Sequence, residues 1–412
     1  MTWTPTIQVE YATDWNQNDN QVVNGIVEYN LNIQGGSEDY INPPMPGSTS
    51  IDLTFDEDVI PPIQIGNVVT IQDTSVQGIG YIFIGKVVGR SSRYSAWGTA
   101  GFLLTWTYEL AGFISDLQKM SWYNPSNYTG TTDQCLDLVM ANAGKSTWSQ
   151  VNPNLTWANV TPTTTWETWD GVDYVTNNMI SRTGTNSQSQ TLAAGWRNVW
   201  DDLVTLTYGV WGAITESTGL AVECVVTTPT TITTNVYNNY LMVDIEGIDS
   251  TPKLRNDVTL TKYDTTTIEY RDQPSIYQYG QQPGTITTYI NNDSDALTTC
   301  AKIVNGLAYP YLALDRYRIN LYNPNIPQAD LTYYYITGLI PVTVLAPTPM
   351  GGTQDYLTVG YRLNANKNAW IMENNVVPLS VAVNSINWEQ VPASYTWTSY
   401  GVAYPTQKWS DL

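Results

Sequence analysis

The sequence predicts an α+β protein, mostly β, in which two similar small β-barrel units flank a mixed α/β middle domain. Near the start, three segments alternate apolar and polar residues, at 65–71, 81–90 and 102–110. Near the end, three segments repeat this order more weakly, at 338–345, 355–363 and 370–380. Such alternation is typical of half-buried antiparallel strands. Because the pattern occurs on both sides of a different middle, we interpret it as a duplicated β unit.

The first unit begins with further strands. Alternating segments lie at 6–11, 25–33 and 48–55. Gly85 and Gly89 interrupt the segment at 81–90 and favour bulges or tight bends, where the absence of a Cβ helps. Residues 91–101 are predicted to form a loop. Together these segments predict a first β-barrel domain at 1–118, built as a small barrel or as a curled sheet.

The middle of the chain mixes helical and extended patterns. Thr131 and Gln134 have the spacing of a capping box and open a predicted helix that Gly144 ends. Residues 145–190 are rich in Thr, Trp, Asn and Ser and predict a long loop with short strands. Apolar residues at helical spacing over 196–206 predict a second helix, and a hairpin follows it. These elements predict a mixed α/β domain at 119–255.

Strands and a helix link this domain to the second unit. Strands are predicted at 258–263, 267–270, 275–280 and 317–322. The clearest helix has a continuous apolar face over 296–308 and is stopped by Pro310. We therefore predict a linking segment at 256–330, a second β-barrel unit at 331–392 and a C-terminal tail at 393–412. The aromatic residues from 388 onward are irregularly spaced and are expected to pack on another part of a protein rather than fold alone.

Composition and charge exclude several classes of function. The 412 residues are 42% apolar, which suffices for a sizeable core, and they carry a net charge of −20. Binding to nucleic-acid phosphates needs clusters of Lys and Arg, so we expect no specific nucleic-acid binding. The first residues are polar, and no apolar run of about 18 residues occurs. We therefore expect no signal peptide and no membrane anchor, and synthesis in a cytoplasm.

The cysteines do not predict a disulfide framework or a zinc site. Cys135, Cys224 and Cys300 are odd in number and far apart, whereas both kinds of site need characteristic spacings. Two of the three lie on the apolar faces of predicted helices. We interpret them as buried thiols.

No residue set predicts catalysis, a cofactor or a metal. The chain has no histidine, which removes Ser-His-Asp and Cys-His nucleophiles, and no phosphate-binding glycine motif occurs. Asp201, Asp202 and Glu389 lie beside aromatic residues, as in glycoside hydrolases. Adjacent residues on a helix point in different directions, so we interpret Asp201 and Asp202 as a solvent-facing pair. Asp293 and Asp295 could bind Ca²⁺, but their position at a helix start favours capping and first-turn charge.

Several motifs together resemble the tail-hub or minor tail proteins of tailed bacteriophages, over roughly the whole chain. The segment IGNVVTI at 65–71 is similar to the strand (I/P)-G-x-x-V-x-I of that family, and FIGKV at 83–87 to its F-x-G-x-V. VEY at 9–11 and PGSTSIDL at 46–53 resemble its opening strands. The most specific piece is DQPSIYQYG at 272–280, which resembles D-x-x-S-I-x-x-Y-G. The second unit departs from the pattern, since Ile-Pro-Val stands where the family keeps Gly-Asp-x-Val.

The resemblance implies a non-enzymatic structural protein of the virion, assembled in the host cytoplasm. It implies a homotrimer, in which two barrels per chain give six similar units that match a hexameric tail tube. The implied partners are the tail tube protein and the tail tip, fibre or baseplate proteins. The genome would pass through the ring, and an acidic lumen would not bind it. We expect the contact surfaces to be strand edges and apolar faces around 65–71 and 338–345.

Two other functions are compatible with the residues. A receptor- or carbohydrate-binding tail protein could use exposed aromatic residues to stack on sugars, with Trp148, Trp157, Trp166 and Trp169 as candidates. A cell-wall-degrading enzyme is the other alternative. The absence of histidine and of an isolated carboxylate pair argues against the enzyme.

Overall fold

A computed structural model describes residues 5–143, 179–225, 236–249, 254–326, 341–345 and 353–379, with short gaps inside the first four ranges. The elements of the first β unit are β1 (Ile7–Ala12), β2 (Gln21–Val22), β3 (Ile26–Glu28), β4 (Leu31–Gly36), β5 (Met45–Asp56), β6 (Val68–Asp73), β7 (Tyr81–Gly98) and β8 (Gly101–Ala111). The predicted loop at 91–101 is wrong, because β7 continues to Gly98 and pairs with β8 along that length.

The middle of the chain alternates short helices and strands. Its elements are α1 (Ile114–Leu117), β9 (Ser121–Asn124), β10 (Tyr128–Thr131), α2 (Thr132–Asn142), β11 (Ile180–Thr183), β12 (Ser189–Leu192), β13 (Gly195–Asn198), α3 (Val199–Gly209), β14 (Ala213–Ser217), β15 (Ala221–Val225), β16 (Val236–Asn238) and β17 (Met242–Asp249). The capping pair is present at α2, where the Thr131 backbone N–H donates to Gln134 Oε1 at 3.0 Å. The helix predicted over 196–206 begins only at Val199, because Gly195–Asn198 pairs with β9 as a strand.

The remaining elements are β18 (Asp257–Thr261), β19 (Thr267–Arg271), α4 (Gln273–Tyr279), β20 (Pro283–Thr287), α5 (Asp293–Leu307), β21 (Leu312–Asn320), β22 (Pro341–Leu345), β23 (Thr353–Ala365) and β24 (Trp370–Pro378). The strand predicted at 275–280 is wrong, since this segment is α4. The Asp272 side chain accepts a hydrogen bond from the Ser275 backbone N–H at 2.9 Å, and Pro274 lies in the first turn. A side-chain cap followed by proline starts a helix and overrides the aromatic alternation behind it.

One large sheet joins both ends of the chain. Its strands follow the order β17-β21-β24-β23-β4-β5-β8-β7-β6-β1-β2, and β3, β16 and β22 pair off this path. The two units meet where β4 pairs antiparallel with β23. In the part of the chain that the structure describes, this order is open and does not close on itself. The mostly β prediction is confirmed, and the two units share a continuous sheet.

The two units contain the same three-stranded antiparallel meander. β7 pairs with β6 and β8, and β23 pairs with β22 and β24. In both central strands the register with the third strand shifts just before a glycine, between Val87 and Gly89 and between Thr358 and Gly360. A bulge at the same place in both meanders is a feature that the duplicated sequence pattern leads one to expect.

Three hydrophobic cores lie around this sheet. The first combines residues of both units, including Leu53, Tyr108, Leu363 and Trp370. The second holds the helices and short strands of the middle. The third packs α5 and β18 against the second meander through Leu357, Val359 and Val377. All three cysteines are buried thiols, as predicted.

None of the helices in the described ranges is long and apolar enough to cross a lipid bilayer.

The junction of β4 with β23 predicts a strict requirement for glycine. A Cβ added at Gly360 would lie 2.1 Å from the Ser37 carbonyl oxygen, so Gly360→Ala is expected to lower the free energy of unfolding by at least about 3 kcal/mol. Gly66→Ala is the control. Gly66 has a φ of 95° and no atom close to its added Cβ, so its substitution adds only backbone strain of about 1 kcal/mol. Urea unfolding measures both variants, and equal losses would contradict a close-packed junction.

Candidate assembly surface

The carboxylates that the sequence offered for catalysis do not form a pair. Asp201 is exposed, but Asp202 is only 1% exposed, so the interpretation of both as solvent-facing is wrong for Asp202. Helix α3 turns Asp202 into the second core because Val199 and Leu206, which lie three residues before it and four residues after it on the same face, are buried. The third candidate, Glu389, lies outside the described residues.

Asp202 is the centre of a buried polar network. The Arg197 guanidinium donates two hydrogen bonds to its carboxylate, at 2.6 and 2.9 Å. Trp122 Nε1 donates at 2.7 Å and the Tyr289 hydroxyl at 2.9 Å. The guanidinium also lies 4.9 Å from the centre of the Tyr289 ring. Burial, together with the Asp202 charge, raises the pKa of Tyr289 to about 12.

This network joins segments and leaves no carboxylate oxygen for chemistry. Trp122 is on β9, Arg197 on β13 and Tyr289 just before α5. A buried carboxylate that is neutralised by a bidentate guanidinium and has further donors is a structural arrangement. Asp202 therefore holds α3 to its neighbours.

Glu216 is a second buried carboxylate, and no motif in the sequence indicates it. It is fully buried on β14 and accepts hydrogen bonds from the backbone N–H of Gly47 and from that of Ile114 at 3.0 Å. A Cβ at Gly47 or at Gly112 would lie 2.6 or 2.5 Å from its carboxylate oxygens. Two glycines thus make room for the carboxylate, and burial raises its pKa to about 7.

Asp293 and Asp295 lie in the first turn of α5, where acidic side chains stabilise a helix. Asn292 is the N-cap of α5, and its Oδ1 accepts from the Asp295 N–H at 2.8 Å. Asp293 pairs with Lys262 at 2.6 Å, and Asp295 Oδ2 accepts from the Ser189 N–H at 3.0 Å. Among the described residues no group of three or more Cys, Asp or Glu is placed to hold a metal ion.

The segment DQPSIYQYG, whose motif is the most specific in the sequence, holds α4 and α5 together through hydrogen bonds. Asp272 caps α4, and the Ser275 hydroxyl donates to the Ala308 carbonyl oxygen at the end of α5. Asn256 Nδ2 donates to Ser275 Oγ at 3.1 Å and to the Gly280 carbonyl oxygen at 2.9 Å. These contacts fix α4 and α5 against the start of β18, so the motif carries structure.

The strand edges proposed from the sequence as contact surfaces are already occupied. β6 pairs with β1 on one side and β7 on the other, and its residues from Val68 to Ile71 are buried. β22 pairs with β16 and β23. Both edge assignments are therefore wrong, because intramolecular pairing uses these edges. Residues 338–340, like the four tryptophans proposed for sugar binding, lie outside the described residues.

An exposed apolar surface lies beside β6. Ile60 is 86% exposed, Ile65 is 62% exposed, and Val88 and Tyr94 on β7 are exposed as well. The loop before β6 runs along β7, where the Gly66 N–H donates to the Val87 carbonyl oxygen at 2.9 Å and the Val87 N–H to Asn67 at 2.8 Å. We call Ile60, Ile65, Val88, Arg90 and Tyr94 the loop–hairpin surface.

Positive charge accompanies this apolar surface. Arg90 Nη1 donates to the Ile63 carbonyl oxygen at 3.2 Å, and its guanidinium lies 5.3 Å from the centre of the Trp106 ring. Arg93 pairs with Asp52 at 3.0 Å. Exposed apolar residues beside guanidinium groups and a tyrosine are the composition of protein–protein interfaces. On a chain of net charge −20, such a surface is suited to an acidic partner.

Comparisons with known proteins give similarity in fold alone. No protein-family model and no curated protein sequence matches the chain. The 43 kDa tail protein of prophage MuSo2 from Shewanella oneidensis superposes with a TM-score of 0.56 at 13% identity, over 91% of this chain and 99% of that one. A tail protein from Neisseria meningitidis MC58 superposes with a TM-score of 0.56 at 10% identity, over 93% and 99%. The chain has the fold of these tail proteins, and the resemblance found in its motifs is confirmed at that level.

Substitutions at the neighbouring Asp202 and Asp201 are expected to differ in their effect on the free energy of unfolding. Asp202→Asn removes the charge that neutralises Arg197 in the core and is expected to lower the free energy of unfolding by about 3 kcal/mol or more. Asp201→Asn, one residue earlier and exposed, should change it by less than about 0.5 kcal/mol. Urea unfolding compares them. A stable Asp202→Asn variant would contradict the structural role and reopen a functional one.

Glu216 predicts a pH dependence of stability. Its folded-state pKa of about 7 exceeds the ordinary value of 4.5, so the native state holds a proton that the unfolded chain releases. Its contribution is complete below about pH 4.5 and is lost as the pH rises through about 7. The difference in free energy of unfolding between wild type and Glu216→Gln should therefore fall by about 3 kcal/mol across this range. Denaturant unfolding at several pH values measures it, and a constant difference would refute the assignment.

Proposed function

We propose that this chain is a structural protein of a bacteriophage tail, a trimeric hub that joins the hexameric tail tube to the distal tip or baseplate. The observation that carries the proposal is the fold, which is shared with two tail proteins over at least 91% of this chain and 99% of theirs. A likeness that extends over nearly the whole length of both chains supports a common role. The role itself goes beyond the likeness, since fold alone does not determine function.

The repeated meander supports a symmetry-matching role. Each chain carries two meanders of the same strand order, each with a bulge before a glycine in its central strand. Three chains would present six similar β units, each a barrel or curled sheet, to a six-fold tube. The continuous sheet through β4 and β23 fixes the two units of one chain relative to each other, which a rigid ring requires.

The chemistry of the described residues supports a role without catalysis. The buried carboxylates Asp202 and Glu216 hold segments together, and the chain contains no histidine. A net charge of −20 is suited to a ring through which DNA passes without adsorbing. In this proposal the loop–hairpin surface contacts the next chain of the ring, where the Arg90 guanidinium meets an acidic neighbour.

The mass of the chain in solution tests the assembly. Light scattering or native mass spectrometry should give a trimer a mass of about 138 kDa, three times the 45.9 kDa of one chain. Ile65→Asp places a charge in the loop–hairpin surface and is expected to weaken the trimer at least about tenfold. Tyr277→Asp is the matched control, because Tyr277 is 95% exposed on α4, away from that surface.

Two results would contradict the proposal. A monomer at every concentration would remove the trimeric hub. Equal effects of the two substitutions would remove the loop–hairpin surface as the contact while leaving the trimer in place.

A further inference from the structure

A cavity of about 230 Å³ opens where the middle of the chain meets the small sheet formed by β19, β18 and β20. Val258 and Ile303, both buried, form an apolar floor. The rest of the wall consists of Tyr208 of α3, Arg255 before β18, and Pro283, Gly284, Thr285 and Ile286 of β20. The cavity therefore combines an apolar floor with a guanidinium and a phenol side chain.

The strand that borders this cavity is an open edge. Among the described strands, β20 pairs only with β18, in parallel register from Asp257 opposite Pro283 to Thr261 opposite Thr287. Its side chains alternate between exposed and half-buried along the whole length. An open edge beside a cavity is the arrangement that binds an extended segment, since the edge supplies backbone hydrogen bonds and the cavity accepts a side chain.

The size and chemistry of the cavity favour an aromatic side chain. An apolar cavity of about 150 Å³ suffices for a benzene-sized ring, so about 230 Å³ has room for a larger ring system such as an indole. Arg255 at the wall can lie over the face of such a ring, and this contact is strongest with tryptophan. A charged or strongly polar group would lose its hydration against Val258 and Ile303.

The chain itself supplies such a segment at this place. Leu379, the last residue that the structure describes, is buried in the same hydrophobic core as Val258 and Ile303. The residues that follow are rich in large aromatic side chains, namely Trp388, Tyr395, Trp397, Tyr400, Tyr404 and Trp409. The nine residues from Leu379 to Trp388 can span about 30 Å when extended, and the aromatic residues after Trp388 have a longer reach from the same core.

We propose that residues 381–412 dock in cis along the open edge of β20 and insert one tryptophan side chain into the cavity beside Arg255. The segment contains only three charged side chains, Glu389, Lys408 and Asp411, so charge does not oppose its packing on an apolar floor. Docking buries both the exposed edge and the tryptophan, two features that promote aggregation when they remain open.

Hydrogen exchange of the full-length chain, read by mass spectrometry, tests the proposal. Peptides from 381–412 are expected to be protected in the wild type. Thr285→Trp fills the cavity from its own wall and should accelerate their exchange about tenfold or more. Thr287→Trp is the matched control, because Thr287 is also exposed and lies on the same face of β20 but does not line the cavity. It should leave the exchange unchanged.

Single Trp→Ala substitutions at 388, 397 and 409 identify the inserted side chain, since one of them should reproduce the effect of Thr285→Trp while β20 stays intact. Rapid exchange of 381–412 in the wild type would overturn the proposal. So would equal effects of Thr285→Trp and Thr287→Trp. Protection that appears only as the protein concentration rises would also overturn it, by assigning the cavity to the tail of a second copy.

Discussion

The antiparallel pairing of β4 with β23 is the constraint on which the rest of the structure depends. It joins residues about 330 positions apart, as in the hydrogen bond from Arg362 Nε to Asn32 Oδ1 at 3.1 Å. The backbones approach so closely that neither Gly36 nor Gly360 has room for a Cβ, and the Ser37 N–H donates to the Val359 carbonyl oxygen at 2.8 Å. Closing so long a loop costs entropy. The shared hydrophobic core offsets that cost, because it forms only when both units are in place.

The middle of the chain is attached to this sheet by buried polar groups. Glu216 connects β14 to the backbone of β5 and to the start of α1, and Asp202 connects α3 to β9 and to Tyr289. A buried polar or charged group is costly unless its partners are in place. These two carboxylates therefore favour one relative position of the segments over others, in a region where elements are short and propensity alone is weak.

The sequence predicts those elements whose formation depends on residues close together in the chain. The alternation in β1, β6, β22 and β23, the capping pair at Thr131 and the apolar face of α5 were all legible, because each depends on neighbours within a few residues. The strand predicted at 275–280 is wrong because the cap formed by Asp272 starts a helix there, whatever the aromatic alternation behind it. The burial of Asp202 and Glu216 could not be predicted, since apart from Arg197, five positions before Asp202, their partners lie 80 to 169 positions away in the chain. The glycines at 47 and 112 were the only trace of Glu216, and they are informative only after the contact is known.

The pairing inside the chain also determines how it can assemble. Because β6 and β22 have partners on both sides, a neighbouring chain cannot extend the sheet at those strands. In the proposed ring, contacts near these strands would therefore use side chains, such as the exposed Ile60 and Ile65 of the loop–hairpin surface. The open edge of β20 is different in kind, since it offers backbone groups and a cavity to a single extended segment. The two proposed contacts thus differ in chemistry, because the loop–hairpin surface presents side chains to a folded partner, whereas β20 presents backbone groups to an extended tail.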